Sequence, residues 1–205
     1  MIKFVSSFPR RQQHRRLRRA AASGAAGLAA CVLVVIAAVT GTWAVAGAVL
    51  LAAVALGSYA RRWQRLAARS RIGARSENEV RHALAVLGAE GWQLRHSLAY
   101  GGSGDIDSVA IAPTGIAFTI ETKTKTFDRR HLDAVRGMAV WLHLCRRRWC
   151  RRGAFPVLCV VCARAVERID DGVLIVSLDR LVVALRTTAG TTQRPGFIAA
   201  EASRR

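Results

Sequence analysis

An uncharged run from Ala20 to Ala60 constrains the fold of this chain more than any other sequence feature. The run consists mainly of Ala, Val, Leu, Ile and Gly, and it contains no Asp, Glu, Lys or Arg. A single membrane-spanning helix needs about 20 apolar residues, so this run is about twice the required length. We therefore predict two transmembrane helices, at 20–39 and 43–60, joined by a Thr-Gly-Thr turn.

Two other interpretations of the run are one long tilted helix and a cleaved signal peptide. The apolar part of a signal peptide has only about 7–15 residues, much shorter than this run. One long helix would extend beyond the hydrocarbon layer, because each residue adds about 1.5 Å. The helical hairpin is the favoured interpretation.

Arginine-rich segments lie on both sides of the run, at residues 10–19 and 61–69. Short basic flanks tend to remain cytoplasmic, and an even number of spans places both ends on the same side. We expect a cytoplasmic-membrane protein whose termini and soluble domain are cytoplasmic, with the lipid bilayer as a partner. These arginines serve topology and attraction to anionic lipids, so they are not counted as a nucleic-acid site.

The charge distribution divides the chain. Its net charge is +19, and no acidic residue precedes Glu77. We predict five segments: a basic N-terminus at 1–19, the hairpin at 20–60, a basic linker at 61–72, one α/β domain at 73–187 and a flexible tail at 188–205. A basic domain favours a polyanionic partner through phosphate contacts.

A helix is predicted after Gly73, which is a candidate helix break. Ser76 and Glu79 have the spacing of a capping box, with Ser76 as the N-cap. Glu77 shares a helical stripe with the apolar Val80 and Leu84. A carboxylate on a buried stripe needs a partner or a metal. The alternative is a surface Glu77 that complements the helix dipole.

Two strands, at 106–112 and 116–123, are predicted to form a hairpin around Pro113-Thr114-Gly115. If these three residues form the loop and Gly115 is left-handed, Ala112 faces Ile116. The same register places Asp107 opposite Glu121, and Lys123 on the face of Glu121. A two-residue loop would instead pair Asp107 with Thr122.

The remaining pattern predicts an α/β fold. Strands are expected at 92–98, 156–163 and 172–177, and helices at 131–148 and 178–187. One stripe of the first of these helices is apolar and is expected to be buried: Leu132, Val135, Ala139 and Leu142. Interleaved helices and strands of this kind form helices packed on a mixed sheet. The arginine run at the end of the first of these helices complements the helix C-terminus, and phosphate binding is its alternative role.

Several other polar residues are weaker candidates. Asp105 is a secondary metal ligand, because it precedes Asp107 by two residues. His96 and His131 are interpreted as ordinary histidines, since neither has a second ligand at metal spacing. Cys159 and Cys162 are interpreted as apolar strand residues, because residues three apart point to opposite faces and would not share zinc.

The motifs together resemble a known family. Gly73-Ala74-Arg75-Ser76-Glu77, Gly104-Asp105-Ile106-Asp107 and Ile120-Glu121-Thr122-Lys123, in this order, are similar to the nuclease-related domain, NERD, over about residues 70–185. This family is grouped with the PD-(D/E)xK nucleases, and the resemblance implies a restriction-endonuclease-like mixed sheet flanked by helices.

The resemblance also implies roles for individual residues. Glu77 would be the helix carboxylate, Asp107 and Glu121 the principal ligands of Mg²⁺ or another divalent metal, and Lys123 the lysine of the E-x-K element. The metal would activate water and neutralise phosphate charge. The following helix lacks the Gln frequent in that superfamily, so that auxiliary role is either vacant or taken by Arg136.

The expected function is metal-dependent phosphodiester hydrolysis of nucleic acid, with DNA favoured, at the cytoplasmic face of the membrane. Basic residues after the E-x-K element are the predicted nucleic-acid contacts: Lys125, Arg129, Arg130 and Arg136. A homodimer is one expected assembly, because cutting two strands needs two sites. The alternatives are a non-catalytic module that binds nucleic acid or protein at the membrane, and a structural Glu121–Lys123 pair.

Overall fold

The computed structural model describes residues 8–101 and 104–191, with side chains from residue 17 onward. The chain divides into two compact units, Met1–Ala74 and Arg75–Arg205. Helix α2 contributes residues to both units, because it runs without interruption from Trp43 to Ala89.

The first unit contains helix α1 (Phe8–Val39) and the first part of α2. The turn between them has Gly41 at φ 75°, and Thr42 Oγ1 donates a 3.0 Å hydrogen bond to the Ala37 carbonyl. The predicted end of the first helix and start of the second are therefore confirmed. Both helices extend beyond the predicted spans, α1 toward the N-terminus and α2 through the basic segment 61–72.

Small residues form the buried face of this helix pair. Alanines seven residues apart are buried on each helix, namely Ala30 and Ala37 on α1 and Ala46, Ala53 and Ala60 on α2. Large side chains such as Leu28 and Leu51 are more than 70% exposed (72% and 73%). Alanine contacts let helices approach closely, and outward leucines are typical of helices surrounded by lipid.

Two helical segments are long and apolar enough to cross a membrane by length and composition, Leu17–Val39 and Trp43–Ala89. This finding agrees with the predicted hairpin at the level of length and hydropathy.

The predicted capping box at Ser76 is wrong, because Ser76 lies inside α2 rather than at a helix start. Gly73 does not break the helix. Ser76 Oγ instead lies 3.1 Å from Thr124 Oγ1, and Glu79 accepts a 3.0 Å hydrogen bond from Arg75. Within a continuous helix the N–H groups that a cap would satisfy already have carbonyl partners one turn earlier.

The second unit is a mixed α/β structure, as predicted, and its sheet has six strands where the sequence predicted five. Its elements after α2 are β1 (Gln93–Tyr100), β2 (Gly104–Ile111), β3 (Ala117–Lys123), α3 (Arg129–Cys145), β4 (Ala154–Val160), β5 (Glu167–Asp170), β6 (Val173–Ser177) and α4 (Leu178–Thr191). The strand order is β1-β2-β3-β4-β6-β5. Strands β3, β4 and β6 are parallel, and the remaining neighbours are antiparallel.

Helices cover both faces of this sheet. Val80, Leu84 and Leu87 of α2 pack with Leu181 and Leu185 of α4 against one face, in a cluster that includes Phe118 and Ile120. Helix α3 packs on the other face. Its buried residues are those predicted from periodicity: Leu132, Val135, Ala139 and Leu142.

The hairpin register is confirmed from the loop as far as Ser108 and Ile120, but the predicted pair of Asp107 with Glu121 is absent, because the ladder ends before it. Ser108 pairs with Ile120 and Ile111 with Ala117, and the Ala112 amide donates a 2.8 Å hydrogen bond to the Ile116 carbonyl. Gly115 has φ 87°, the left-handed conformation that the three-residue loop requires.

Several elements differ from the predictions. Strand β4 ends at Val160, so Cys162, predicted as a strand residue, lies beyond it, and the other predicted strand ends differ by at most two residues. Helix α3 begins at Arg129 behind an Asp128 cap and ends at Cys145, before the arginine run. Strand β5 was not predicted, because its four residues are all exposed and lack an apolar pattern. Helix α4 continues to Thr191, so the first residues of the predicted tail are helical, and 192–205 lie outside the described residues.

Candidate metal and nucleic-acid site

Asp107 is the only residue of β2 that pairs with neither neighbouring strand. The β2–β3 ladder ends at Ser108 and Ile120, although β3 continues to pair with β4 as far as Lys123. On the other side, the β1–β2 pairs pass from His96–Ser108 to Leu98–Ile106 and omit Asp107. Strands β2 and β3 thus separate at Asp107 and leave a split at one end of the sheet.

Ser97 is the residue of β1 that would face Asp107, and it has φ 53°. A non-glycine residue in the left-handed region costs on the order of 1 kcal/mol or more and interrupts the ladder. Interruptions of this kind redirect side chains and recur beside functional sites. Ile106 packs in the same cluster as Val109 and Ile111, so the alternation of buried faces along β2 shifts within the interval that contains Asp107.

The Asp107 carboxylate crosses the split. Its Oδ2 accepts a 2.8 Å hydrogen bond from the backbone N–H of Thr122. A side chain has thereby replaced the backbone carbonyl that a continuous ladder would supply. This bond fixes the carboxylate between the ends of β2 and β3.

Glu121 and Lys123 lie on the α3 face of β3. Glu121 pairs with Leu158 and Lys123 with Val160, and both β4 residues pack in the α3 cluster with Leu132. Lys123 Nζ lies 2.9 Å from Glu121 Oε1. The structure thus brings together the two residues of the E-x-K element.

Glu77 reaches the site from the helix on the opposite face. It is 9% exposed and lies on the stripe of Val80 and Leu84, so the alternative of a surface residue that complements a helix dipole is wrong. Arg81 Nη2 lies 3.4 Å from Glu77 Oε2 and also donates a 2.9 Å hydrogen bond to Ser97 Oγ. Arg81 therefore connects the buried helix carboxylate to the irregular residue of β1.

The electrostatics of Asp107 show that the three carboxylates are neighbours. Burial raises the pKa of Asp107 well above its usual range, and the negative charges of Glu121 and Glu77 raise it further. The Thr122 N–H and the Lys123 ammonium lower the same pKa by a smaller amount. Burial and the two neighbouring carboxylates thus outweigh the Thr122 N–H and the Lys123 ammonium, and a bound cation would offset that imbalance.

The chemistry of the Asp107 and Glu121 carboxylates suits a divalent ion. Mg²⁺ usually keeps several waters and takes one or two protein carboxylates, which Asp107 and Glu121 can provide. Among residues 8–101 and 104–191, no group of three or more His, Cys, Asp and Glu side chains is close enough to hold one ion. Glu77 as a third ligand stays a prediction.

Two buried polar atoms beside the site have no hydrogen-bond partner within the described part of the chain: Thr122 Oγ1 and Arg81 Nε. Thr122 pairs with Cys159, whose side chain belongs to the cluster beneath α2, so its hydroxyl lies on the side of Glu77. Unsatisfied buried groups are typical of places where water or a ligand completes the network.

The predicted nucleic-acid contacts fall into two groups. Lys125, Arg129 and Arg130 are exposed just beyond the end of β3. Arg136 instead forms ion pairs with Asp133 and, at 2.9 Å, with Asp171. These pairs occupy its guanidinium, so Arg136 is poorly placed for phosphate contact or for the role of the missing Gln.

The weaker candidates have structural environments. Asp105 pairs with Ala99 on β1, and burial raises its pKa. His96 Nδ1 lies 2.9 Å from Ser108 Oγ, and burial followed by the charge of Arg81 lowers its pKa to about 4. His131 completes the capping box of α3 with Asp128.

The cysteines do not form a zinc site in the described residues. Cys159 is buried in the sheet, where burial raises its pKa to about 12, whereas Cys162 is exposed. Cys150 Sγ donates to the Arg146 carbonyl at 3.2 Å.

Sequence reasoning missed Arg81, Ser97 and Thr122. Arg81 follows Glu77 by four residues, and this spacing was a usable signal for an ion pair on a helix. The left-handed Ser97 and the backbone bond from Thr122 have no local sequence signal, since both depend on where β2 and β3 separate.

Comparison with known proteins supports the resemblance. Residues 72–149 match the family model described as the nuclease-related domain, NERD. The match includes the four predicted site residues, Glu77, Asp107, Glu121 and Lys123. No curated protein and no solved structure matched the chain.

Proposed function

We propose that the second unit is a restriction-endonuclease-like domain that hydrolyses phosphodiester bonds of nucleic acid with a divalent metal, Mg²⁺ being favoured. The split between β2 and β3 carries this proposal. It isolates Asp107, holds its carboxylate on the Thr122 N–H and places it near Glu121 and Glu77. A surface ion pair would need no such separation of strands.

Each residue has a distinct task in this proposal. Asp107 and Glu121 would hold the metal, which supplies an activated water and neutralises phosphate charge when bound. Lys123 Nζ, 2.9 Å from Glu121, would orient the attacking water or stabilise the developing negative charge. Glu77, which is paired with Arg81, would act as a positioning residue, because its negative charge acts on Asp107.

DNA is the favoured substrate, and Lys125, Arg129 and Arg130 are its proposed phosphate contacts beyond the end of β3. Guanidinium groups suit phosphate because they donate in a planar fork. A homodimer would allow both strands of a duplex to be cut.

We also propose that α1 and the first part of α2 anchor the domain in the cytoplasmic membrane, with both termini cytoplasmic. The support is the length and hydropathy of both helices and the outward leucines of the alanine-packed pair. The basic flanks give the orientation.

The test is cleavage of plasmid DNA by the full chain in non-ionic detergent. Mg²⁺ should permit cleavage and EDTA should prevent it. Glu121→Gln and Lys123→Met should each abolish it, whereas Glu79→Gln should retain it, because Glu79, whose side chain is 40% exposed, pairs with Arg75 away from the proposed site. Equal activity of all three variants would overturn the assignment, since a contaminating nuclease would then explain cleavage.

A second candidate is a non-catalytic module that binds nucleic acid or a partner protein at the membrane. Two observations favour it: Lys123 Nζ already pairs with Glu121 at 2.9 Å, and the raised pKa of Asp107 favours its protonated form. Salt-sensitive DNA binding unchanged by Asp107→Ala, without cleavage in any divalent metal, would support this candidate.

A further inference from the structure

Residues 146–152, Arg-Arg-Arg-Trp-Cys-Arg-Arg, form a loop between α3 and β4 that we call the arginine loop. Its five arginines are exposed, and the stretch from residue 134 to 166 contains no Asp or Glu. None of the five forms an ion pair with any described residue. In contrast, Arg75, Arg81, Arg136 and Arg186 are all paired with acids.

The loop is held in place by its own backbone and its cysteine. The Arg152 amide donates a 3.0 Å hydrogen bond to the Gly115 carbonyl, and the Gly153 amide donates to Cys150 at 3.1 Å. The Cys150 thiol is buried and donates back to Arg146. The uncompensated charges are therefore presented on a fixed surface, which reduces the entropy lost when an anion binds.

Trp149 extends this surface to the edge strand. The guanidinium groups of Arg95 and Arg146 lie over its ring, at 5.7 Å and 5.4 Å from the centroid. Arg95 is an exposed residue of β1, so the surface comprises the arginine loop and Arg95. A guanidinium group over an indole ring is attracted by the ring's quadrupole, and this attraction favours these positions of Arg95 and Arg146.

This surface lies at the opposite end of β3 from the candidate site. Gly153 accepts a 3.0 Å hydrogen bond from Ala117, the first residue of β3, whereas Lys123 is the last. Six strand steps of about 3.3 Å separate these ends, so the surface and the site are about 20 Å apart. That distance corresponds to about six base pairs of duplex at about 3.4 Å each.

We propose that the arginine loop and Arg95 form a second phosphate-binding surface, which engages duplex DNA about six base pairs from the bond at the candidate site. The inference rests on the proposed function for its choice of partner. The bound partner is a duplex rather than a membrane, because Trp149 is half-buried beneath two guanidinium groups and does not present its ring for insertion into lipid.

The test is DNA binding by the full chain carrying Glu121→Gln, in non-ionic detergent with EDTA, measured by fluorescence anisotropy. The probes are a duplex of about 24 base pairs and a hairpin with a stem of about four base pairs, which is only about 14 Å long and cannot reach both places. Arg147→Ala/Arg148→Ala should weaken binding of the long duplex at least about 10-fold near 0.1 M salt and lower the salt slope by about 2. Binding of the short stem should change much less.

Arg168→Ala/Arg180→Ala is the matched control, because it removes the same charge from exposed residues of β5 and α4. Arg147→Lys/Arg148→Lys keeps the charge, so it should retain most of the affinity and shows that the loop tolerates substitution. Equal losses in the alanine variant and the control, or equal losses for both probes, would overturn the proposal. If Arg147→Ala/Arg148→Ala weakens binding to phosphatidylserine micelles but leaves DNA binding unchanged, the surface binds lipid and the proposal is also overturned.

Binding and cleavage separate this inference from the proposed function. If the chain never cleaves DNA but shows the expected dependence on duplex length, the hydrolytic function fails and the second surface stands. If it cleaves with Mg²⁺ but the loop variant binds both probes like the parent, only the second surface fails.

Discussion

Arg81→Met is expected to destabilise the second unit by about 2–3 kcal/mol, because it removes an ion-pair partner of a carboxylate that water scarcely reaches. The Arg81 and Glu77 side chains are only 16% and 11% exposed, and their charged atoms are 3.4 Å apart. At an effective dielectric constant of about 20, this separation gives a gross attraction of about 5 kcal/mol. The desolvation cost of Arg81 offsets part of that attraction, and the hydrogen bond to Ser97 is lost as well.

The assay is thermal unfolding of the full chain in non-ionic detergent, followed by tryptophan fluorescence. For a unit of this size the expected loss corresponds to a fall in Tm of about 5–10 °C. Arg75→Met is the matched control on the same helix. Its pair with Glu79 is shorter, at 3.0 Å, but the side chains are 83% and 40% exposed, so its loss should cost no more than about 0.5 kcal/mol.

A double variant isolates the cause. Arg81→Met/Glu77→Gln should be more stable than Arg81→Met alone, because it removes the carboxylate together with its partner. The pKa of His96, about 4 in the parent, should also rise in Arg81→Met, since the charge of Arg81 contributes to lowering it. Equal destabilisation by Arg75→Met and Arg81→Met, or no recovery in the double variant, would refute the reasoning.

Three further outcomes follow from the structure. Asp107→Asn should stabilise the metal-free protein at neutral pH while preventing cleavage. Because the folded protein raises the pKa of Asp107, the stability of the parent is highest below the unfolded pKa of about 3.8 and falls as pH rises through the folded pKa. Unfolding measured in EDTA across this pH range should show that loss in the parent but not in the variant. Gly115→Ala should cost about 1 kcal/mol through its φ of 87°, with its added Cβ only in ordinary contact with Arg151, and unchanged thermal stability would contradict this. A cysteine placed at Thr42 in a cysteine-free background should react with an impermeant maleimide in intact cells, whereas one at Lys125 should react only after lysis; the reverse pattern would contradict the proposed orientation.

Local sequence patterns predicted much of the sheet. The hairpin register followed from loop length and one glycine, because strand pairing next to a three-residue loop is fixed by the loop itself. The stripe of α3 and the burial of Glu77 followed from helical periodicity. In contrast, the helix start predicted from the capping motif at Ser76 was wrong, because the preceding residues are already helical and leave no N-terminus to cap.

The sequence by itself determined two apolar helices with a turn at Gly41, the facing positions of the hairpin strands and the identity of the acidic residues. These features depend on neighbours within a few residues. Tertiary structure alone decided that β2 and β3 separate at Asp107, that Ser97 interrupts β1, and that Arg81 holds Glu77. The reason is physical: a carboxylate acquires its protonation preference from burial and from charges distant in sequence, and only the folded chain brings those charges together.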